Sequence, residues 1–216
     1  AGDGMFAIAF QSLAESGLKD KQVVEGLKVL TEGVRKVAEG QTLDMHLAEK
    51  RRVTLNDYLA MVSKKTGALL EASVALGCIA AGKPKDYLRN FGKKIGVAFQ
   101  IKDDLLDLKV RSKKLGKPRG SDIREGKKTL IVVHALQNSD TTTKKRILKI
   151  LGNKRAKAKD IDEVVKIMTE TGSIEFAENY AEKLVAEAEK ITFNLKEPKA
   201  RQVLLQLTYY IVGRGY

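Results

Sequence analysis

The sequence predicts an all-α protein, and three observations carry that prediction. Prolines are few (Pro84, Pro118 and Pro198), so long stretches rich in Ala, Leu, Lys and Glu run without a breaker. Within those stretches the apolar residues recur at helical spacing. Strand signals are missing: the one Asp-Gly pair, Asp3-Gly4, stands before a helical pattern and not between two alternating runs.

Taken in order, Met5, Phe6, Ile8, Ala9 and Leu13 form the first apolar stripe. A second helix is expected from about Val23 to about Glu49, with Val24, Leu27, Leu30, Val34, Val37 and Leu43 on its apolar face. Thr54 reads as an N-cap, and Asp57 three residues on stands where a capping box has Glu. The helix that follows runs through Met61, Leu69, Val74 and Leu76 to the break at Gly82-Lys83-Pro84. Being apolar on most sides around Gly67–Ala81, it is expected to be central. From Lys85 to about Leu108 the positions Leu88, Phe91, Ile95, Phe99, Ile101 and Leu105 continue a helix with an acidic end. A loop rich in lysine, arginine and glycine is expected from Lys109 to about Gly126. Five shorter helices complete the reading, at about Lys128–Gln137, Thr141–Leu151, Asp160–Thr171, Ile174–Ile191 and Ala200–Val212. Connections are short and no repeat is present, so residues 1–216 are expected to form one domain.

Composition excludes several classes. With 43% hydrophobic and 31% charged residues, the chain has enough apolar surface to fold into a core. No apolar run reaches the roughly 18 residues that span a bilayer. Cys78 is the single cysteine, so no internal disulfide can form, and the two histidines, His46 and His134, are too far apart for a Cys/His zinc cluster. A reducing, cytoplasmic setting is expected. Cys78 reads as a small buried side chain, and the histidines as structural or surface groups. The net charge is +13, but the lysines are spread along the chain without interleaved aromatics or a helix-turn-helix signature, so no nucleic-acid partner is expected.

The chemistry gathers in Gln100-Ile101-Lys102-Asp103-Asp104-Leu105-Leu106-Asp107. On a helix Asp103 and Asp107 are four apart and Asp104 and Asp107 three apart, so all three line one face, with Gln100 a turn earlier. Carboxylates that close repel one another. Both a solvated acidic helix end and a site for a hard divalent cation such as Mg²⁺ fit the spacing. Beyond it come Leu115-Gly116-Lys117-Pro118-Arg119-Gly120-Ser121-Asp122 and Glu125-Gly126-Lys127-Lys128-Thr129. Carboxylates for metals beside lysines for phosphate oxygens suit a diphosphate–Mg²⁺ complex. A solvated loop accounts equally well for some of Lys109, Arg111, Lys113 and Lys114.

The run Phe91-Gly92-x-x-Ile95-Gly96-x-Ala98-Phe99-Gln100-Ile101-x-Asp103-Asp104-x-x-Asp107, then Gly116-Lys117 and Gly126-Lys127-Lys128-Thr129, closely resembles the second aspartate-rich region of the trans-isoprenyl diphosphate synthases. Gly2-Asp3, Gly40-Gln41-Thr42-Leu43-Asp44, Tyr58-x-x-Met61-x-x-x-Lys65-Thr66-Gly67 and Tyr210-Ile211-Val212-x-Arg214 fit the same family in order. The resemblance implies a helical bundle around a central cavity. It also implies Mg²⁺ on Asp103, Asp104 and Asp107, and diphosphate binding by Lys65, Lys117 and Lys127. Thr66 and Gln100 would turn oxygen dipoles toward a carbocation. Gln41 and Asp44, three apart on one helix face, would look into the cavity, although a surface pair has the same spacing. The implied reaction joins isopentenyl diphosphate head-to-tail to an allylic diphosphate, with geranylgeranyl diphosphate the expected product and farnesyl diphosphate next. A homodimer through Met5–Ser16 and Val24–Glu49 is also implied.

The family's other aspartate-rich motif and its adjacent Arg-Arg-Gly have no match. Arg51-Arg52 is followed by Val53 and stands beside no aspartates. The chain is therefore expected to correspond to the family's C-terminal two-thirds, and to be inactive if produced alone. The alternative from another class is a non-catalytic helical subunit that supports a partner's active site.

Overall fold

The computed structural model describes residues 2–84, 86–109 and 118–212. Among these, every regular element is helical. Helix α1 (Gly2–Ala14) lies on α2 (Asp20–Glu49), and α2 packs along α4 (Ala68–Ala80). Helix α5 (Arg89–Lys109) lies against α4 and, most extensively, against α10 (Ser173–Thr192). The short helices α3 (Leu55–Val62), α6 (Ser121–Glu125), α7 (Leu130–Gln137), α8 (Thr141–Ile150) and α9 (Ala158–Glu170), together with the last helix α11 (Pro198–Val212), surround this row.

The local reasons are those the residues supply. Thr54 caps α3 by accepting from the Asp57 N–H, and the Asp57 carboxylate accepts in return from the Thr54 N–H at 2.8 Å. That backbone hydrogen bond, with the Thr54 hydroxyl and Lys50, holds the half-buried Asp57 carboxyl down at about 2. Thr129 and Asp140 cap α7 and α8 with their side chains alone, accepting from the Val132 and Thr143 N–H groups.

Three expectations are corrected. Helix α5 starts at Arg89, not Lys85, because Asp86–Leu88 form turns and the Tyr87 hydroxyl is tied to the Asn194 carbonyl at 2.7 Å. The stretch Lys109–Gly126 is not all loop, since Ser121–Glu125 make a short helix between Gly120 and Gly126, both left-handed at φ 71° and 77°. The helix after Thr54 is not one continuous α-helix either: Ser63–Gly67 form a π-turn between α3 and α4.

Helix α5 is the central one, with Phe91, Ile95, Val97, Ala98, Ile101 and Leu105 all buried. Helix α4 lies between α2 and α5, but Leu69, Ser73, Gly77 and Ala80 keep a strip of it exposed. Its apolar character comes largely from small residues, which let its neighbours approach closely. The same is true where α2 passes the π-turn: a Cβ on Gly40 would overlap the backbone of Lys65. Cys78 is a buried free thiol, His46 is exposed near the end of α2, and His134 stacks on Phe176 at 4.1 Å.

Candidate active site

Four stretches that are distant in sequence meet at one cavity of about 230 Å³. The last turns of α2 bring Asp44 and Leu47, α3 brings Tyr58, Met61 and Val62, and the π-turn brings Lys65. The end of α5 brings Gln100, Asp103, Asp104 and Asp107. From the segment leading into α7 come Ser121, Asp122, Lys127, Lys128 and Thr129. Apolar α3 and α5 side chains form one wall; aspartates and lysines form the rest.

The three α5 carboxylates have different surroundings. Asp104 is buried and accepts from the Tyr58 hydroxyl at 2.6 Å and the Gln100 amide at 2.9 Å. Gln100 in turn accepts from the Thr66 hydroxyl at 2.8 Å. Burial raises the Asp104 carboxyl to about 7 despite those two hydrogen bonds, which favour its charge. The same burial, with Asp104 facing it, pushes the Tyr58 phenol well up. Asp107 holds the start of α6, accepting from the Ser121 N–H at 3.1 Å, the Ser121 hydroxyl at 2.7 Å and the Asp122 N–H at 3.2 Å. Asp103 is exposed and has no hydrogen-bond or ion-pair partner among the described residues.

The cations are paired across the cavity wall. Lys65 reaches Asp44 at 2.5 Å, and Lys127 reaches Asp122 at 2.6 Å and Glu125 at 3.0 Å. Burial works against the Lys127 charge, but those two carboxylates outweigh it and raise its pKa. Burial also raises the Asp122 carboxyl. Lys128 donates to the carbonyls of Leu47 and Ala48 at 2.9 and 2.6 Å, closing the C-terminal end of α2 against the cavity.

No three acidic groups among the described residues already stand at metal-binding distance of one another. The donor set nonetheless fits a hard cation. Mg²⁺ commonly takes one or two protein carboxylates and completes its shell with phosphate oxygens and water. Asp103 has both oxygens open, and Asp104 and Asp107 use only part of their roughly four lone-pair sites. The buried Asp104 carboxyl gains most, because a nearby cation favours the charged form that burial opposes.

Of the residues singled out from sequence, Asp44, Lys65, Gln100, Asp103, Asp104, Asp107 and Lys127 line the cavity, and Thr66 joins through Gln100. Gln41 is exposed on α2 and does not line it. Lys117 lies outside the described residues. Lys109 is no free loop lysine; it ends α5 and pairs with Glu178.

Sequence reasoning missed the parts played by Tyr58, Asp122 and Lys128. For Asp122 a signal existed, an acid five residues before Lys127 between two glycines. For Tyr58 there was none beyond its place in a motif. Removing the Tyr58 hydroxyl in Tyr58→Phe leaves a buried Asp104 oxygen without its donor. Denaturant unfolding should show a loss of about 1–3 kcal/mol; an unchanged midpoint would mean the bond contributes nothing.

A helical bundle with carboxylates and lysines facing each other across one cavity has the groups that a metal-bound polyanion would need. The chain belongs to the polyprenyl synthetase family, which it matches over residues 1–168. It is 49% identical over 181 residues to a short chain isoprenyl diphosphate synthase of Methanocaldococcus jannaschii, covering 82% of this chain and 54% of that protein. The crystal structure of a geranylgeranyl pyrophosphate synthetase from Pyrococcus horikoshii superposes with a TM-score of 0.89 at 39% identity, covering 99% of this chain and 66% of that one. A geranylgeranyl pyrophosphate synthase from Corynebacterium glutamicum, complexed with isoprenyl diphosphate and magnesium, superposes with a TM-score of 0.90 at 27% identity, over 99% of this chain and 62% of that one. The chain thus spans about half to two-thirds of the length of these relatives.

Proposed function

We propose that the protein is a trans-prenyltransferase that condenses isopentenyl diphosphate head-to-tail with an allylic diphosphate, with geranylgeranyl diphosphate as the product. The observation that carries this reading is the meeting of Asp103, Asp104, Asp107, Lys65 and Lys127 at one cavity with Gln100 and Thr66. The name of the Pyrococcus relative supports the product, and the magnesium and isoprenyl diphosphate in the Corynebacterium structure support the ligands.

In this reading Asp103, Asp104 and Asp107 would hold Mg²⁺, which would supply positive charge to stabilise the leaving diphosphate. Lys65 and Lys127 neutralise the remaining phosphate oxygens, and Lys117 is assigned the same role. The allylic carbon–oxygen bond breaks and the diphosphate leaves with the electron pair. The double bond of isopentenyl diphosphate attacks the allylic cation, forming the new carbon–carbon bond, and a proton is lost to the departed diphosphate. Thr66 and Gln100 contribute fixed oxygen dipoles near the cation. The apolar wall from Met61 and Val62 excludes the water that would quench it.

The test is radiolabelled isopentenyl diphosphate supplied with farnesyl diphosphate and Mg²⁺ to the full-length gene product. A labelled twenty-carbon diphosphate is the expected product. Its absence, with Mg²⁺-dependent binding of farnesyl diphosphate retained, would favour a non-catalytic subunit.

Two further parts belong to this reading. A cytoplasmic setting goes with it; no helix among the described residues is long and apolar enough to cross a membrane. A homodimer through α1 and α2 would cover Met5, Ile8, Val24 and Met45, which are 52–72% exposed. Light scattering at micromolar concentration should give twice the chain mass, and a monomer would count against it.

A further inference from the structure

A second cavity, of about 700 Å³, opens between the α2–α3 connection and helices α7 and α8. It shares only Lys128 with the aspartate-lined one. Its rim carries four cations, Arg51, Arg52, Lys128 and Lys144, and no carboxylate lines it. Arg51, Arg52 and Lys144 have no ion-pair partner among the described residues, whereas many of the chain's other surface lysines and arginines do, as Arg146 of α8 with Glu163 of α9. The floor is apolar: Val53 and Leu136 are half-buried, Val133 is buried, and Leu148 is 50% exposed.

Unpaired like charges around a wide apolar floor are a poor surface for solvent alone, since the cations repel and the aliphatic groups are wetted. Inorganic phosphate would answer the charges and leave the floor wet. A neutral lipid would cover the floor and leave the charges unanswered. Nucleic acid finds no aromatic ring to stack on among the lining residues. A molecule with a phosphorylated head and a short hydrocarbon tail answers both, and the volume is that of a small-molecule site.

We infer that this groove is a second, metal-independent binding site for a prenyl diphosphate, separate from the aspartate cavity. With no carboxylates in the lining, the head group is held by Arg51, Arg52, Lys128 and Lys144 directly, so no cation is needed. The choice of ligand rests on the prenyl diphosphate chemistry proposed above, whereas the site itself rests on the groove.

The test is isothermal titration with farnesyl thiolodiphosphate, which resists ionisation, first in EDTA and then with Mg²⁺. In EDTA one equivalent should bind per chain. The double reversal Arg52→Glu/Lys144→Glu should weaken that binding by about tenfold or more. Leu148→Asp should weaken it too, while leaving inorganic diphosphate binding unchanged. Leu148 is half-exposed, so that variant is expected to fold even if the double reversal does not. A photoreactive farnesyl diphosphate analogue should label residues 51–54 and 133–148 in EDTA. No binding in EDTA, binding unaffected by either variant, or inorganic diphosphate binding as tightly as the prenyl compound would each overturn the site. Binding to anionic phosphatidylglycerol vesicles without binding of the soluble compound would do the same. Loss of the Mg²⁺-dependent component alone would count against prenyl transfer and leave this site standing.

Discussion

Asp103→Ala should lower the turnover of the full-length protein by about 100- to 1,000-fold at saturating Mg²⁺, with little change in stability. The first part follows from its place on the acidic face of α5 with both carboxylate oxygens open, where removing one charge-stabilising group commonly has that effect. The second follows because an exposed side chain without partners contributes within about 0.5 kcal/mol of folding. Asp107→Ala makes the contrast. It removes three hydrogen bonds to Ser121 and Asp122 as well as a carboxylate, so it should lower the unfolding midpoint along with the rate. Near-normal turnover for Asp103→Ala would return that residue to a solvated helix end, the other reading its spacing allowed.

The second large effect is expected at Gly40, where the usual rule reverses. A glycine inside a helix normally costs up to about 1 kcal/mol relative to alanine, so Gly→Ala should stabilise. At Gly40 the added methyl would meet the Lys65 amide nitrogen and Cα, which are backbone atoms that cannot swing aside. Gly40→Ala should therefore destabilise the protein by about 1–3 kcal/mol or more. It should also displace Lys65 and weaken diphosphate binding. Gly77, with open space around its Cβ position, is the control: Gly77→Ala should be neutral or stabilising. Thermal melts of the two variants side by side decide the point, and equal shifts would refute close packing at Gly40.

What could be read from the residues was what depends on neighbours in sequence. Apolar spacing located the helices, Thr54 and Asp57 announced their cap, and the three aspartates declared a common face because they lie within one turn. What could not be read depends on distance. The short helix at Ser121–Glu125 is too brief to show a period, and it is held by a carboxylate fourteen positions upstream. Tyr58 meets Asp104 across 46 positions, and Lys128 meets the end of α2 across 81, so neither partnership leaves a local trace. Gln41 and Asp44 show the limit of pattern, since two residues three apart divide between the surface and the cavity.

The π-turn at Ser63–Gly67 has a geometric consequence for the segment it interrupts. Such a turn holds one residue more than an α-turn, and one residue of helix is about 100° of rotation. In sequence, everything after it is therefore phased differently from everything before it. Tyr58, Met61 and Val62 reach the large core beside the aspartates, whereas Ala72, Ala75 and Ile79 turn to a separate cluster with Val29 of α2. Deleting a single residue between Ser63 and Gly67 would relax the turn to a plain α-helix at no cost in composition. Because the turn absorbs its extra residue locally, that deletion should leave α4 in phase with both neighbours. It should be tolerated far better than a one-residue deletion inside α3 or α4, which would rotate everything beyond it by about 100°.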